Sequence, residues 1–182
     1  MRIRYQNLKG KEVLADKEGR LLGTVRRIQI DSKKKSVLGI VFKGKVMSGE
    51  HWCRVNGVTR VGEDVVYLSS MKVVKDDEPP GRDVKDLIDL PINCMDGKRL
   101  GAVEDVIVET EGWKLAGVVI DRVGSVDVGP DAVFGADTVL LREGAADEIV
   151  AEPEASGFLA RVFQSEEPQK PKPGARGKSR KK

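Results

Sequence analysis

Residues 16–42, DKEGRLLGTVRRIQIDSKKKSVLGIVF, return 78 positions later as residues 94–120, CMDGKRLGAVEDVIVETEGWKLAGVVI. Without a gap, the two stretches are identical at Gly19/Gly97, Leu22/Leu100, Gly23/Gly101, Val25/Val103, Gly39/Gly117 and Val41/Val119. Four further pairs, Ile28/Val106, Ile30/Val108, Ile40/Val118 and Phe42/Ile120, stay apolar. A chain with this duplication is expected to fold one unit twice. In each copy an acidic residue and a glycine mark a tight turn, since glycine takes positive φ without steric cost. Apolar runs at 21–30 and 37–42, and again at 100–109 and 115–121, then read as paired strands. Ile28 and Ile30 share a face while Val25 falls out of phase, which predicts a bulge near Gly23 or a strand buried on both sides.

The rest of each copy follows in the same order. Residues 7–14 and 87–93 lead in. Val61-Gly62-Glu63-Asp64-Val65-Val66-Tyr67-Leu68 and Gly135-Ala136-Asp137-Thr138-Val139-Leu140-Leu141 close each unit as a turn plus strand. Their offset is 73, so the second copy has lost five residues from the stretch 43–56, which reads as a long loop. Asp76-Asp77-Glu78-Pro79-Pro80-Gly81 is the clearest boundary, because adjacent prolines block helix and ladder alike. These signals divide the chain into a first domain (1–75), a linker (76–83), a second domain (84–150), a short helix (151–165) and a basic tail (166–182). Pro, Lys, Gly, Arg and Ser dominate that tail, so it is expected to be disordered.

Charge separates what the apolar skeleton unites. Residues 1–75 hold 17 Lys/Arg against 7 Asp/Glu; residues 76–167 hold 8 against 22; residues 168–182 hold 7 basic residues and no acid. Two related units of opposite sign are what divergence toward different partners produces. No stretch approaches the roughly 18 apolar residues of a membrane span. Met1-Arg2-Ile3-Arg4 opens no apolar leader, so the expectation is a cytoplasmic chain without an integral membrane segment.

Motifs for chemistry are sparse. His51, the sole histidine, lies two residues from Cys53, but a metal needs two more ligands and only Cys94 is otherwise soft, so no metal site is expected. One histidine and no Gly-x-Ser-x-Gly motif argue against a Ser-His-Asp hydrolase, and no phosphate-binding Gly-x-x-x-x-Gly-Lys loop is present. The expectation is no catalytic residue, no cofactor and no enzyme. Two candidate contact regions remain. One is the loop bearing Met47, His51 and Trp52, suited to a protein partner. The other is cationic: Arg26, Arg27, Lys33, Lys34 and Lys35, with Lys170, Lys172, Arg176, Lys178, Arg180, Lys181 and Lys182 in the tail. Such residues neutralise phosphates and suit RNA or another anionic surface.

Gly10-Lys11-Glu12-Val13, Asp16…Gly19…Leu22-Gly23-Thr24-Val25, Ile28…Ile30-Asp31, Gly39-Ile40-Val41 and Val61-Gly62-Glu63-Asp64-Val65 together resemble the PRC-barrel family. The second copy keeps Gly97…Leu100-Gly101-Ala102-Val103, Val106…Val108 and Gly117-Val118-Val119. It departs at its start, where Asp89-Leu90-Pro91-Ile92 stands for Gly-Lys-x-Val, which throws its edge strand into question. The resemblance implies an all-β chain of two small PRC-type β-barrels in tandem, each closing upon itself. It implies a docking module related to the cytoplasmic part of the photosynthetic reaction-centre H subunit and to the C-terminal domain of a ribosome-maturation factor. The expected function is a non-enzymatic adaptor that docks on another macromolecule, with homo-oligomerisation left open. An RNA- or ribosome-associated maturation factor and a membrane-surface or cell-division scaffold are the alternatives.

Overall fold

The computed structural model describes residues 1–45 and 48–151. The expected helix at 151–165 and the basic tail lie outside that range, save Ala151. Each repeat begins with an arm. In the first, β1 (Arg2–Arg4) runs into α1 (Tyr5–Leu8); β2 (Glu12–Ala15), β3 (Arg20–Asp31), β4 (Ser36–Gly44), β5 (Glu50–Arg54), β6 (Val58–Val61), β7 (Val65–Leu68) and β8 (Val74–Lys75) follow. In the second, β9 (Arg82–Asp83) runs into a 3-10 turn (Val84–Leu87), followed by β10 (Pro91–Cys94), β11 (Arg99–Glu109), β12 (Lys114–Ile120), β13 (Gly124–Asp127), β14 (Val133–Phe134) and β15 (Val139–Leu141).

The strand order is β14-β15-β10-β11-β12-β4-β3-β2-β7-β6. Read from either end it gives the same elements, because β12 meets β4 at the middle. There the hairpin tips bond reciprocally: the Val37 amide donates to the Trp113 carbonyl at 2.7 Å, and the Leu115 amide to the Lys35 carbonyl at 2.9 Å. The two donors, and likewise the two acceptors, are 78 positions apart, so a pseudo-twofold axis passes between Ser36 and Lys114, the one pair of Cα partners that link the two strands.

The copies agree in their irregularities as well as in their strands. Arg26 is skipped between the pairs Val25–Phe42 and Arg27–Val41, and Glu104 between Val103–Ile120 and Asp105–Val119. Leu38 and Ala116 are skipped in the returning strands. These bulges put Val25 and Ile28 both inside, and account for the phase break expected near Gly23. Lys35 and Trp113 sit at φ 52° and 51°, so even the tips share a left-handed residue. The second copy's edge strand forms. Asp89 takes the left-handed place of Gly10, and its amide donates to Val103 as that of Gly10 does to Val25. Pro91 is the first residue of β10, where a missing amide costs little. The five missing residues come out of the β4–β5 connection: Phe42 pairs with His51, but Ile120 with Gly124.

The two copies are not closed upon themselves. β1 pairs with β11, the Arg2–Arg4 residues lying opposite Glu109, Val108 and Ile107. β9 pairs with β3, Asp83 opposite Gln29 and Arg82 opposite Ile30. Each arm thus adds a strand to the other repeat, and Leu8 and Leu87 are fully buried beyond them. Apolar residues of both repeats and both arms pack in one cluster, in which Ile28, Ile30, Ile40 and Phe42 join Val106, Val108, Val118 and Ile120. The segment expected as a linker carries specific contacts: besides β9, Asp76 meets His51 and Asp77 accepts from Trp52 Nε1 at 2.9 Å.

Candidate interaction surfaces

The stretch read as a partner loop is largely strand. Gly44 and Gly49 are joined by a backbone hydrogen bond of 3.0 Å, and β5 pairs with β4 from Glu50 to Arg54. Trp52 is 2 % exposed, its ring against Gly39, where an added Cβ would lie 3.0 Å from the indole. The guanidinium of Arg54 and the ammonium of Lys75 approach that ring at 5.6 and 5.5 Å. Trp52 is therefore a core residue covered by cations, not an exposed anchor. His51 is 7 % exposed; Nδ1 meets Asp76 and the Phe42 ring lies 5.9 Å away. Met47 lies outside the described residues.

The cationic candidates divide by what they touch. Arg26 sits on the bulge and points outward; Lys33 and Lys34 are exposed at the tip, where their amides bond the Asp31 carboxylate at 3.0 Å. Lys35 turns back and its Nζ donates to the Pro130 carbonyl of the other repeat. Arg27 is committed: Nε is 3.1 Å from Asp83 and Nη1 2.7 Å from Glu50. The structure adds Lys43, Lys45, Arg54, Arg60 and Lys75, all exposed. Lys43 lies near the end of β4 after four buried residues, and Arg54 ends β5 after three, so no period in the sequence marks their outward direction. The seven tail residues Lys170, Lys172, Arg176, Lys178, Arg180, Lys181 and Lys182 lie outside the described residues.

Two buried titratable groups, Tyr5 and Asp105, lie where the arms cross. Tyr5 is 3 % exposed, and burial, with Asp83 and Asp105 nearby, pushes its phenol up to about 12. Asp105 is 2 % exposed; burial raises its carboxyl, against the Val106 and Gln6 amides and the charge of Arg4, which hold it down. On β5, burial pushes the Cys53 thiol up to about 11, so it stays protonated at neutral pH. These shifts come from packing, and each group has a neighbour that explains its place. Among the described residues, no group of three or more His, Cys, Asp or Glu is placed to hold a metal. Nor does any described helix have the length and apolar character to cross a membrane.

What the arrangement offers is surface. Two equivalent sheets present different chemistry at matched exposed positions: Arg26 against Glu104 on the first bulge, and Arg54 against Asp127 on the outer strand. A comparison with the curated proteins found no match. The family model for the PRC-barrel domain matches twice, over residues 1–75 and 80–145.

Proposed function

Because the chain belongs to the PRC-barrel family, with two copies that fill nearly all of its described length, we propose that it is a non-enzymatic adaptor that docks on another macromolecule. One observation carries this reading: one backbone, repeated within the chain, displays surfaces of opposite sign, as expected of a module whose copies meet different surfaces. The basic face, through Arg26, Lys33, Lys34 and Lys43, supplies attraction for an acidic protein surface. Affinity capture from native lysate with the full chain, run beside the variant Arg26→Glu/Lys33→Glu/Lys34→Glu/Lys43→Glu, tests it. A protein held by the parent and lost by the variant supports the adaptor. Identical captures from both overturn a docking role for this face.

The excess of exposed cations on repeat one also favours a second reading, an RNA- or ribosome-associated factor. Filter binding to structured RNA at two salt concentrations separates the two. Affinity that falls steeply with salt and is lost on deleting residues 168–182 selects RNA. Flotation with anionic vesicles tests a membrane-surface role by the same logic.

A further inference from the structure

The crossing arms are held by the same pair of charges, with the owners exchanged. Asp83 is on the arm of repeat two; its carboxylate meets Arg27 on the sheet of repeat one at 3.1 Å and caps the Lys85 amide at 3.0 Å. The positions that correspond, 79 residues earlier on the arm and 78 later on the sheet, hold Arg4 and Asp105. There the carboxylate belongs to the sheet. It accepts the Gln6 amide, which corresponds to that of Lys85, at 3.3 and 3.4 Å, and the Val106 amide at 2.8 Å, with Arg4 as its neighbouring cation. Both sites thus join one carboxylate, one arginine and the amide of the second residue of a helical turn, but sheet and arm have traded roles.

We infer that the two sites form a reciprocal charge code, which admits the arm of the other repeat and refuses the same arm of a second copy. With arm one on a repeat-one sheet, Arg4 faces Arg27 and the Gln6 amide lacks its carboxylate. With arm two on a repeat-two sheet, Asp83 faces Asp105 in a site that leaves Asp105 2 % exposed. A buried like-charge pair is disfavoured far more than a surface one. Backbone pairing alone does not discriminate, since the registers Arg4–Ile107 and Asp83–Gln29 are equivalent. The code therefore makes a like repeat the surface that each arm rejects and an unlike repeat the one it takes, which the chain itself supplies.

Four full-length variants test it by hydrogen exchange and sedimentation. Asp83→Arg sets two arginines together. Its amides at 29–30 and 82–83 are expected to exchange on the order of tenfold faster, the change that 1.4 kcal/mol of lost docking produces. Arg27→Asp alone pairs two carboxylates and is expected to do the same. Arg27→Asp/Asp83→Arg copies the arrangement at Arg4 and Asp105, and is expected to regain most of the protection. Arg4→Asp/Asp83→Arg mismatches both crossings and matches each arm to the same repeat of a second copy, so concentration-dependent self-association is expected. The inference is overturned if the Arg27→Asp/Asp83→Arg chain is as unprotected as the two single changes together. It is also overturned if the arm-exchanged chain keeps parental protection at both arms. Should that chain fail to fold, the comparison at Arg27 and Asp83 decides alone.

Discussion

Repeat one and repeat two share their strand order, their bulges and the conformations of their hairpin tips, yet differ in almost every side chain that faces out of the sheet. The shared part is where backbone meets backbone. The divergent part is where a side chain meets a neighbour, as at Trp52, whose place in repeat two is taken by Ser125. Duplication leaves the hydrogen-bond ladder under a common constraint and releases the surface, so equivalence at a position tells what the backbone needs and difference tells what that copy packs or meets.

The largest break in this comparison is expected at Trp52. Trp52→Ala removes a buried indole and the bond to Asp77, and should cost about 4 kcal/mol in urea unfolding, while Ser125→Ala should stay within about 0.5 kcal/mol. Equal costs would mean that the outer strands contribute alike despite their sequences. Next comes the glycine pair at 23 and 101. A Cβ on Gly23 would lie 2.0 Å from the Lys43 carbonyl oxygen, which backbone must move to relieve. Gly23→Ala is expected to cost about 3 kcal/mol. At Gly101 the obstacle is the Ile120 Cγ2 methyl at 2.8 Å together with a φ of 141°, and Gly101→Ala should cost about 2 kcal/mol.

A third difference is read by pH. Because the Asp105 carboxyl is raised in the folded chain, the native state holds this proton more firmly than the unfolded one does. Stability attributable to it is therefore greatest below the unfolded carboxylate pKa of about 3.9 and declines as pH rises through the raised folded value. The parent minus Asp105→Asn difference in unfolding free energy should move against the parent from pH 4 to pH 7; a flat difference would mean that the Gln6 and Val106 amides offset burial fully. The smallest effect is expected where the copies differ at one left-handed residue. Asp89→Gly gives repeat two the glycine that repeat one has at position 10, and should raise stability by about 0.5–1 kcal/mol.

The hairpins were legible because their glycines and β-branched residues repeat, and because period-two alternation with one break describes a bulged strand. The stretch 43–56 misled because His51, Trp52 and Cys53 are buried in succession and give no alternation. Asp76 to Gly81 carry the composition of a linker, and nothing in the residues alone shows that Asp76 and Asp77 have partners on β5. The arms were the least legible element. Strands of two or three residues have no period, and their partners lie on the far copy, so the charge exchange between Arg4–Asp105 and Asp83–Arg27 emerges only once both crossings are seen.

The crossed arms also set a timetable. Glu109, the partner of Arg2, is made 107 positions after it. Until then the opening strand has nowhere to dock, and the first hairpin waits for Arg82 and Asp83. Such long closures are slow, so the nascent first half emerges as an acceptor with an empty edge. Neither half completes its sheet without the other, and the protein is expected to melt in one transition.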